Sequence, residues 1–252
     1  MTRTSSSAIE PYQTLFARYL DNTDGKDAVA EALASHARAL GRPRILDVGA
    51  GPGTIATRLL DEAEHVTVVE PSPDFAGTHE SRASGRYRFF QQTIQEFEAP
   101  SGSFDLIVLS YVLESIPGRD WSAVLAKLDE LRSDRGVILG VTYVDGCAWE
   151  AFADFVDTTI GASGAREGGT DRIIRQLRDL GYAPVIDRVL ETSIWGRDVD
   201  ELFDVLEFFF RNEADKYESA RPRLLKELAR LSKVTRSRVS LPVLEAVFQV
   251  RS

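Results

Sequence analysis

RILDVGAGPGTIATRLL, residues 44–60, starts as an apolar run, breaks into alternating glycines and resumes at helical spacing. The apolar part, 45–48, predicts a buried strand, and Ile55, Ala56, Leu59 and Leu60 share one side of a helix that begins near Gly53. Between them Gly49, Gly51 and Gly53 permit positive φ and let a ligand lie against bare main chain. The dinucleotide fingerprint Gly-x-Gly-x-x-Gly is not met, because Thr54 stands where its third glycine belongs. Taken alone, the turn is equally a tight strand-to-helix connection with no ligand, so its neighbours must decide.

Outward from this stretch the chain alternates. Strands are predicted at 65–70, 87–91, 104–110 and 136–143, with helices from 53 to about 63, after Pro73 and over 121–131. Trp121, Val124, Leu125, Leu128 and Leu131 put the last of these helices on a single apolar stripe. Residues 150–160 and 171–180 read as helices and 184–194 as a further strand. The rhythm predicts an α/β fold: a doubly wound, mostly parallel seven-stranded sheet with helices on both faces. Ahead of it, 9–20 and 27–40 read as N-terminal helices broken at Asn22-Thr23-Asp24-Gly25.

After Ile194 the alternation fails. Helices are predicted at 199–211 and 221–231, then a last strand at 242–250, so a small helical insertion precedes the final strand. The expected organisation is an N-terminal helical cap over 1–40, a Rossmann-like core over 41–197, a helical insertion over 198–236, and the last strand of the sheet in 237–252. Leu202, Phe203, Val205, Leu206, Phe208, Phe209 and Phe210 cover most faces of the first inserted helix, which suits core packing, a lid over a pocket or a dimer surface.

Composition bounds the classes open to the chain. With 252 residues, 43% hydrophobic and 27% charged, it reads as one large globular domain with or without an appendage. The start, MTRTSSSAIEP, has no apolar leader, and the longest strongly apolar run, 106–113, is too short to cross a bilayer, so a cytoplasmic protein is expected. Cys147, the single cysteine, has no internal disulfide partner, and no Cys/His cluster has zinc spacing. A net charge of −9 argues against nucleic acid as a partner. The basic run of Arg221, Arg223, Lys226, Arg230, Lys233, Arg236 and Arg238 is the exception, and the acidic stretch before it is expected to neutralise it locally.

In an open α/β sheet, ligands collect beyond the carboxyl ends of the strands. The first strand brings Asp47 and the glycine turn there. The second ends in Glu70, twenty-three residues on, where a carboxylate can take both hydroxyls of a ribose. The fourth ends in Ser110-Tyr111-Val112-Leu113-Glu114, polar groups and a ring beside the same crevice. An adenosine-like ligand fits.

These residues carry a resemblance. Asp47-x-Gly49-x-Gly51-x-Gly53, Glu70, Phe104-Asp105-Leu106-Ile107-Val108 and the strand Gly136-Val137-Ile138-Leu139 resemble the class I S-adenosylmethionine-dependent methyltransferases over roughly residues 10–195. The resemblance implies S-adenosylmethionine as cofactor, its methionine portion on Asp47 and the backbone of Gly49 and Gly51, and its ribose on Glu70 beside Pro71. The segment after the third strand would flank adenine: where many members have an Asp for the adenine amino group, Thr93 and then Ile94 stand here, with Gln92 as the alternative acceptor. Gly53, Ser110 and, from the N-terminal helix, Tyr19 complete the expected cofactor set, with Tyr12 beside Tyr19.

A sulfonium methyl is already activated, so the expected protein work is in-line alignment and exclusion of water. Members often carry a histidine near position 114; here Leu113-Glu114-Ser115 stands instead, which leaves Glu114 and Tyr111 as the candidate catalytic residues. His36, His65 and His79 fall at no carboxyl-terminal strand end and read as surface or packing residues. Nucleobase chemistry is disfavoured, since Ser110-Tyr111-Val112-Leu113 replaces the Asn/Asp-Pro-Pro-aromatic segment of those enzymes, and no metal site can be assembled. The expected reaction is N-, O- or C-methylation of a small aromatic or apolar metabolite of the secondary-metabolism kind, with Trp149, Trp195, Tyr143 and the run 208–210 as apolar lining. The rival readings are a nucleotide-dependent oxidoreductase and a non-catalytic S-adenosylmethionine-binding protein. A homodimer is compatible with the exposed face of the insertion.

Overall fold

β1 (Arg44–Val48) is apolar toward both sides, as a strand between parallel neighbours with helices above and below must be. In the computed structural model, which describes residues 12–161 and 169–251, it lies between β2 (His65–Val69) and β4 (Phe104–Ser110), parallel to both. β3 (Tyr87–Phe90) continues the sheet beyond β2, and β5 (Arg132–Tyr143) beyond β4, again in parallel. β8 (Val239–Val250) runs antiparallel beside β5, and β6 (Val185–Gly196) follows it, giving the order 3-2-1-4-5-8-6. The sheet has eight strands where seven are expected, because the two-residue β7 (Lys233–Val234) pairs with β8. Two residues are too few for any alternation to register in a sequence.

The chain divides into two units, and the sheet unit takes, of the described residues, 26–145, 169–190 and 244–251. Successive residues of β1 serve opposite layers, as the two-residue period of a strand dictates. Ile45 packs with Val66, Val68, Leu106 and Val108 against Val29, Leu33 and Ala37 of α2 (Gly25–Leu40). Leu46 and Val48 pack with Ile107 and Leu109 against Trp121, Leu125 and Leu128 of α5 (Trp121–Leu131), and Ile173 and Leu177 of α7 (Thr170–Asp179) join that layer. The short helices α3 (Thr54–Leu59) and α4 (Ala76–Arg82) follow β1 and β2.

The helical unit takes, of the described residues, 12–25, 146–161 and 191–243. It contains α1 (Tyr12–Asp21), α6 (Ala148–Ile160), α8 (Val199–Phe210), α9 (Ala214–Ser219) and α10 (Arg221–Leu231). The first residues of the helix expected at 9–20 lie outside the described residues. Three helices, not two, separate β6 from β7; α9, six residues long, is too short for a helical stripe to be read. The aromatic run on α8 is used on several sides: Phe208 stacks on Tyr19 at 5.4 Å, Phe209 meets Trp149 at 4.3 Å, and Phe210 stacks on Tyr217 at 4.8 Å. Arg221 opens the basic run inside a cage of Asp200, Asp204 and Glu218 at 3.1, 3.0 and 3.2 Å, the local neutralisation its sequence neighbours suggested. Cys147 is buried just ahead of α6. Among the described residues no helix is long and apolar enough to cross a membrane.

Candidate functional site

The turn after β1 answers why glycine recurs there. Gly49, Gly51 and Gly53 have φ of +65°, +56° and +75°. A side chain at Gly49 would run into Val112, and one at Gly53 would come within 2.7 Å of the Tyr87 hydroxyl and 2.8 Å of the His79 ring. These two glycines are demanded by the fold. At Gly51 a Cβ would meet nothing nearer than the Phe75 ring at 3.9 Å, so this left-handed position presents bare main chain to open space.

Around Gly51 the polar groups converge. Glu70, buried at the end of β2, accepts the N–H of Gly51 at 2.7 Å on Oε2 and that of Ser72 at 2.8 Å on Oε1. Pro71 lies between them and is exposed. His79 of α4 places Nε2 2.7 Å from the carbonyl oxygen of Gly51, so both polar ends of this residue are held. Asp47 is 1% exposed, and its Oδ2 has no hydrogen-bond partner among the described residues. Burial pushes its carboxyl up to about 7, with the Glu70 charge adding to the rise, while the Lys26 charge and the Ala56 N–H oppose it. A buried carboxylate oxygen with no donor is costly unless something else supplies one.

A second group of side chains adjoins Asp47 through Lys26, in the first turn of α2. Its ammonium sits 3.8 Å over the ring of Tyr111, and burial pulls it down to about 8 against the charges of Glu245, Asp47 and Glu114. Tyr111, next after β4, has φ of +56°, a conformation an L-residue adopts only where its surroundings hold it there. Its ring faces Tyr143 of β5 at 5.0 Å. Glu114 accepts the Thr142 hydroxyl on Oε1, while its buried Oε2 has no partner among the described residues; burial raises its carboxyl above the usual range. The buried Ser110 hydroxyl is likewise without a partner among them. Glu245 reaches this group from β8, opposite Tyr143.

Beyond β3, Thr93 gives its hydroxyl proton to Glu96 at 2.8 Å, which leaves the lone pairs of that oxygen available to a donor. Ile94 beside it is buried. Asp47, Gly49, Gly51, Gly53, Glu70, Pro71, Thr93, Ile94, Ser110, Tyr111 and Glu114 therefore all belong to the sheet unit, at or just past strand ends. Tyr19, Tyr12, Trp149, Trp195 and the run 208–210 belong to the helical unit, where Tyr19 is 2% exposed between Phe208 and Phe209. Lys26, Glu245, Thr142 and Tyr87 are not singled out by the sequence, and His79, expected as a surface or packing residue, is buried against the turn. Only Lys26 carried a usable signal, a lone cation in the first turn of a helix that feeds β1. Among the described residues no cluster of His, Cys, Asp and Glu is arranged to hold a metal ion.

Residues 45–136 match the methyltransferase domain family. An uncharacterized methyltransferase of Mycobacterium tuberculosis is 30% identical over 119 residues, 47% of this chain and 57% of the relative. The chain spans about half the length of the curated relatives it matches, 42% and 57% for two of them. The YcgJ protein of Bacillus subtilis superposes with a TM-score of 0.58 at 14% identity, over 86% of this chain and 98% of that one. The 1,6-didemethyltoxoflavin-N1-methyltransferase of Burkholderia thailandensis, solved with its substrate and S-adenosylhomocysteine, superposes with a TM-score of 0.50 at 17% identity, over 100% of this chain and 94% of that one. At these identities the solved structures establish the shared fold.

Proposed function

We propose that this chain, whose residues 45–136 match the methyltransferase domain family, is a class I S-adenosylmethionine-dependent methyltransferase that binds S-adenosylmethionine on the glycine turn and methylates a small aromatic or apolar metabolite. The observation that carries this is Asp47: a buried carboxylate with an unpartnered oxygen, next to main chain left open at Gly51 and a second carboxylate on Glu70. A zwitterionic amino acid joined to a ribose matches that set. Asp47 would take the α-ammonium, Lys26 the α-carboxylate, and Glu70 the ribose hydroxyls. Thr93 or Gln92, with Ile94, would flank adenine, and Pro71 and Ser110 would line the sugar and sulfur.

The bound cofactor supplies a methyl group already activated by its sulfonium, so the protein's part is alignment and exclusion of water. Glu114 would accept the acceptor's proton on Oε2, held in place by the Thr142 hydroxyl on Oε1; its raised pKa makes it a stronger base than an exposed glutamate. Tyr111 and Tyr143 supply an aromatic wall beside it, which suits a flat acceptor. The small-molecule class is supported further by the shared fold of the toxoflavin-type enzyme, whose substrate is of that kind.

Titration calorimetry with S-adenosylhomocysteine, followed by methyl transfer from labelled S-adenosylmethionine to a panel of small amines, phenols and carboxylic acids, tests this reading. Binding lost in Asp47→Ala and weakened in Lys26→Met, together with label on a panel member, is the expected result. Binding without transfer to any acceptor would leave a non-catalytic binding protein, and nicotinamide cofactor binding instead would return the oxidoreductase reading.

A further inference from the structure

The imidazole of His79 is 0% exposed and joined at both nitrogens: Nε2 to the Gly51 carbonyl at 2.7 Å and Nδ1 to the Tyr87 hydroxyl at 2.7 Å. A carbonyl oxygen only accepts, so Nε2 carries the hydrogen; in the neutral ring Nδ1 then accepts the Tyr87 proton. The ring also lies 4.6 Å from Phe89, stacked at 20°. The pair packs so closely on the turn that a Cβ at Gly53 would strike both side chains.

The geometry points to His79 and Tyr87 as positioning residues that fix the cofactor turn, with the neutral Nε2–H form of His79 required for cofactor binding. This rests on the reading of the turn as the S-adenosylmethionine site. Glu70 holds the Gly51 amide and His79 the Gly51 carbonyl, so the peptide planes flanking the open main chain cannot rotate independently. Arg82 of α4 closes the next carbonyl, that of Pro52.

Protonation keeps the Nε2–H bond to the Gly51 carbonyl and reverses the one to Tyr87. An imidazolium donates from both nitrogens, and the Tyr87 hydroxyl would then have to turn its own proton away from the ring. The charged groups facing the pair are the Arg82 guanidinium, which lies near both His79 and Tyr87, and the Asp47 carboxyl, which acts on Tyr87. A second cation beside Arg82 in a buried site is opposed by desolvation, which already lowers the His79 pKa from its ordinary value.

The test uses the full chain, its histidine ring resonances and its affinity for S-adenosylhomocysteine from pH 5 to 8.5. In the parent, His79 is expected as the Nε2–H tautomer with a midpoint below that of free imidazole. Tyr87→Phe removes the donor to Nδ1, so the His79 midpoint and the acidic limb of affinity move to higher pH together. His79→Leu, which leaves the Gly51 carbonyl without its donor, is expected to weaken binding about tenfold or more at every pH, in line with one lost hydrogen bond of the stronger kind. His79→Gln, which can still donate to that carbonyl, restores binding at pH 8 and lacks the histidine limb. Thermal unfolding of each variant separates loss of fold from loss of the turn. An acidic limb identical in parent and Tyr87→Phe, or parent-like affinity in a folded His79→Leu, overturns the proposal while leaving the cofactor site intact. No uptake of S-adenosylhomocysteine by a parent whose His79 shows the expected tautomer overturns the cofactor reading of the turn, and the positioning role with it.

Discussion

The Glu70 carboxylate accepts the backbone N–H of Gly51 at 2.7 Å, so the residue proposed for the ribose also holds the turn proposed for the methionyl portion. One side chain thereby couples the ends of β1 and β2, and its loss has two consequences. Glu70→Ala removes the ribose acceptor and frees the Gly51 amide. Affinity for S-adenosylhomocysteine should fall by about 1.5–3 kcal/mol, roughly 10- to 150-fold, the range for hydrogen bonds to a charged group. Glu70→Gln, which keeps one acceptor oxygen, should fall between the parent and Ala. Calorimetric titration of the two variants gives the order, and equal affinity in all three proteins would refute the ribose assignment.

The glycines of the turn separate by substitution. Gly49→Ala and Gly53→Ala drive a Cβ into Val112 and into the Tyr87–His79 pair, so both should lower the melting temperature sharply. Gly51→Ala meets only the cost of a left-handed backbone at φ +56°, about 1–2 kcal/mol, and the fold should survive it. Its cofactor affinity should nevertheless collapse, because the added methyl projects into the space left for the ligand. A folded Gly51→Ala protein that binds S-adenosylhomocysteine like the parent would show that the turn is structural only.

How much of this was legible in the sequence follows from how far each residue lies from the feature that reveals it. Asp47, the three glycines and Glu70 could be read because strand, turn and helix are contiguous and β2 follows directly. His79 could not, since it reaches Gly51 across twenty-eight residues and only the packing of α4 beside β3 brings its ring to the turn. The same holds for Glu245, whose place beside Tyr143 depends on the antiparallel insertion of β8 next to β5. The aromatic run 208–210 was legible as buried, but not which partners would bury it, because periodicity names a face and leaves its neighbour open.

Asp47 and Lys26 make cofactor affinity depend on pH in a defined direction. With its carboxyl near 7, Asp47 is largely protonated at pH 6 and cannot receive an ammonium as an anion; affinity should rise from pH 6 to pH 7.5, with a proton released on binding. With its ammonium near 8, Lys26 loses its charge above that pH and with it the grip on a carboxylate, so affinity should decline again toward pH 9. Calorimetry in buffers of different ionisation enthalpy measures the released proton. Asp47→Asn should abolish the part of the rise centred near pH 7 and leave only the His79 limb at lower pH. The folded-state pKa of Asp47 lies above its unfolded value, so its contribution to stability is present at low pH and is lost as pH rises through about 7; Asp47→Asn should accordingly melt higher than the parent at pH 8.

Glu114 offers the sharpest separation of binding from chemistry. Its Oε1 is tied to Thr142 and its Oε2 is buried without a partner among the described residues, so replacing the carboxylate by an isosteric amide should leave the packing of Tyr111 and Tyr143 in place. Glu114→Gln should bind S-adenosylhomocysteine within about threefold of the parent while kcat for a proton-bearing acceptor falls by about 10²–10⁴, the contribution of a positioned general base. Because burial raises the Glu114 carboxyl, the acidic limb of kcat in the parent should lie above the ordinary glutamate range and vanish in the variant. Thr142→Val should lower kcat by a smaller factor and shift that limb further upward, since the hydroxyl favours the ionised form. Parent-like kcat in Glu114→Gln would assign the proton to solvent or to the acceptor itself and leave Glu114 as a charge partner of Lys26.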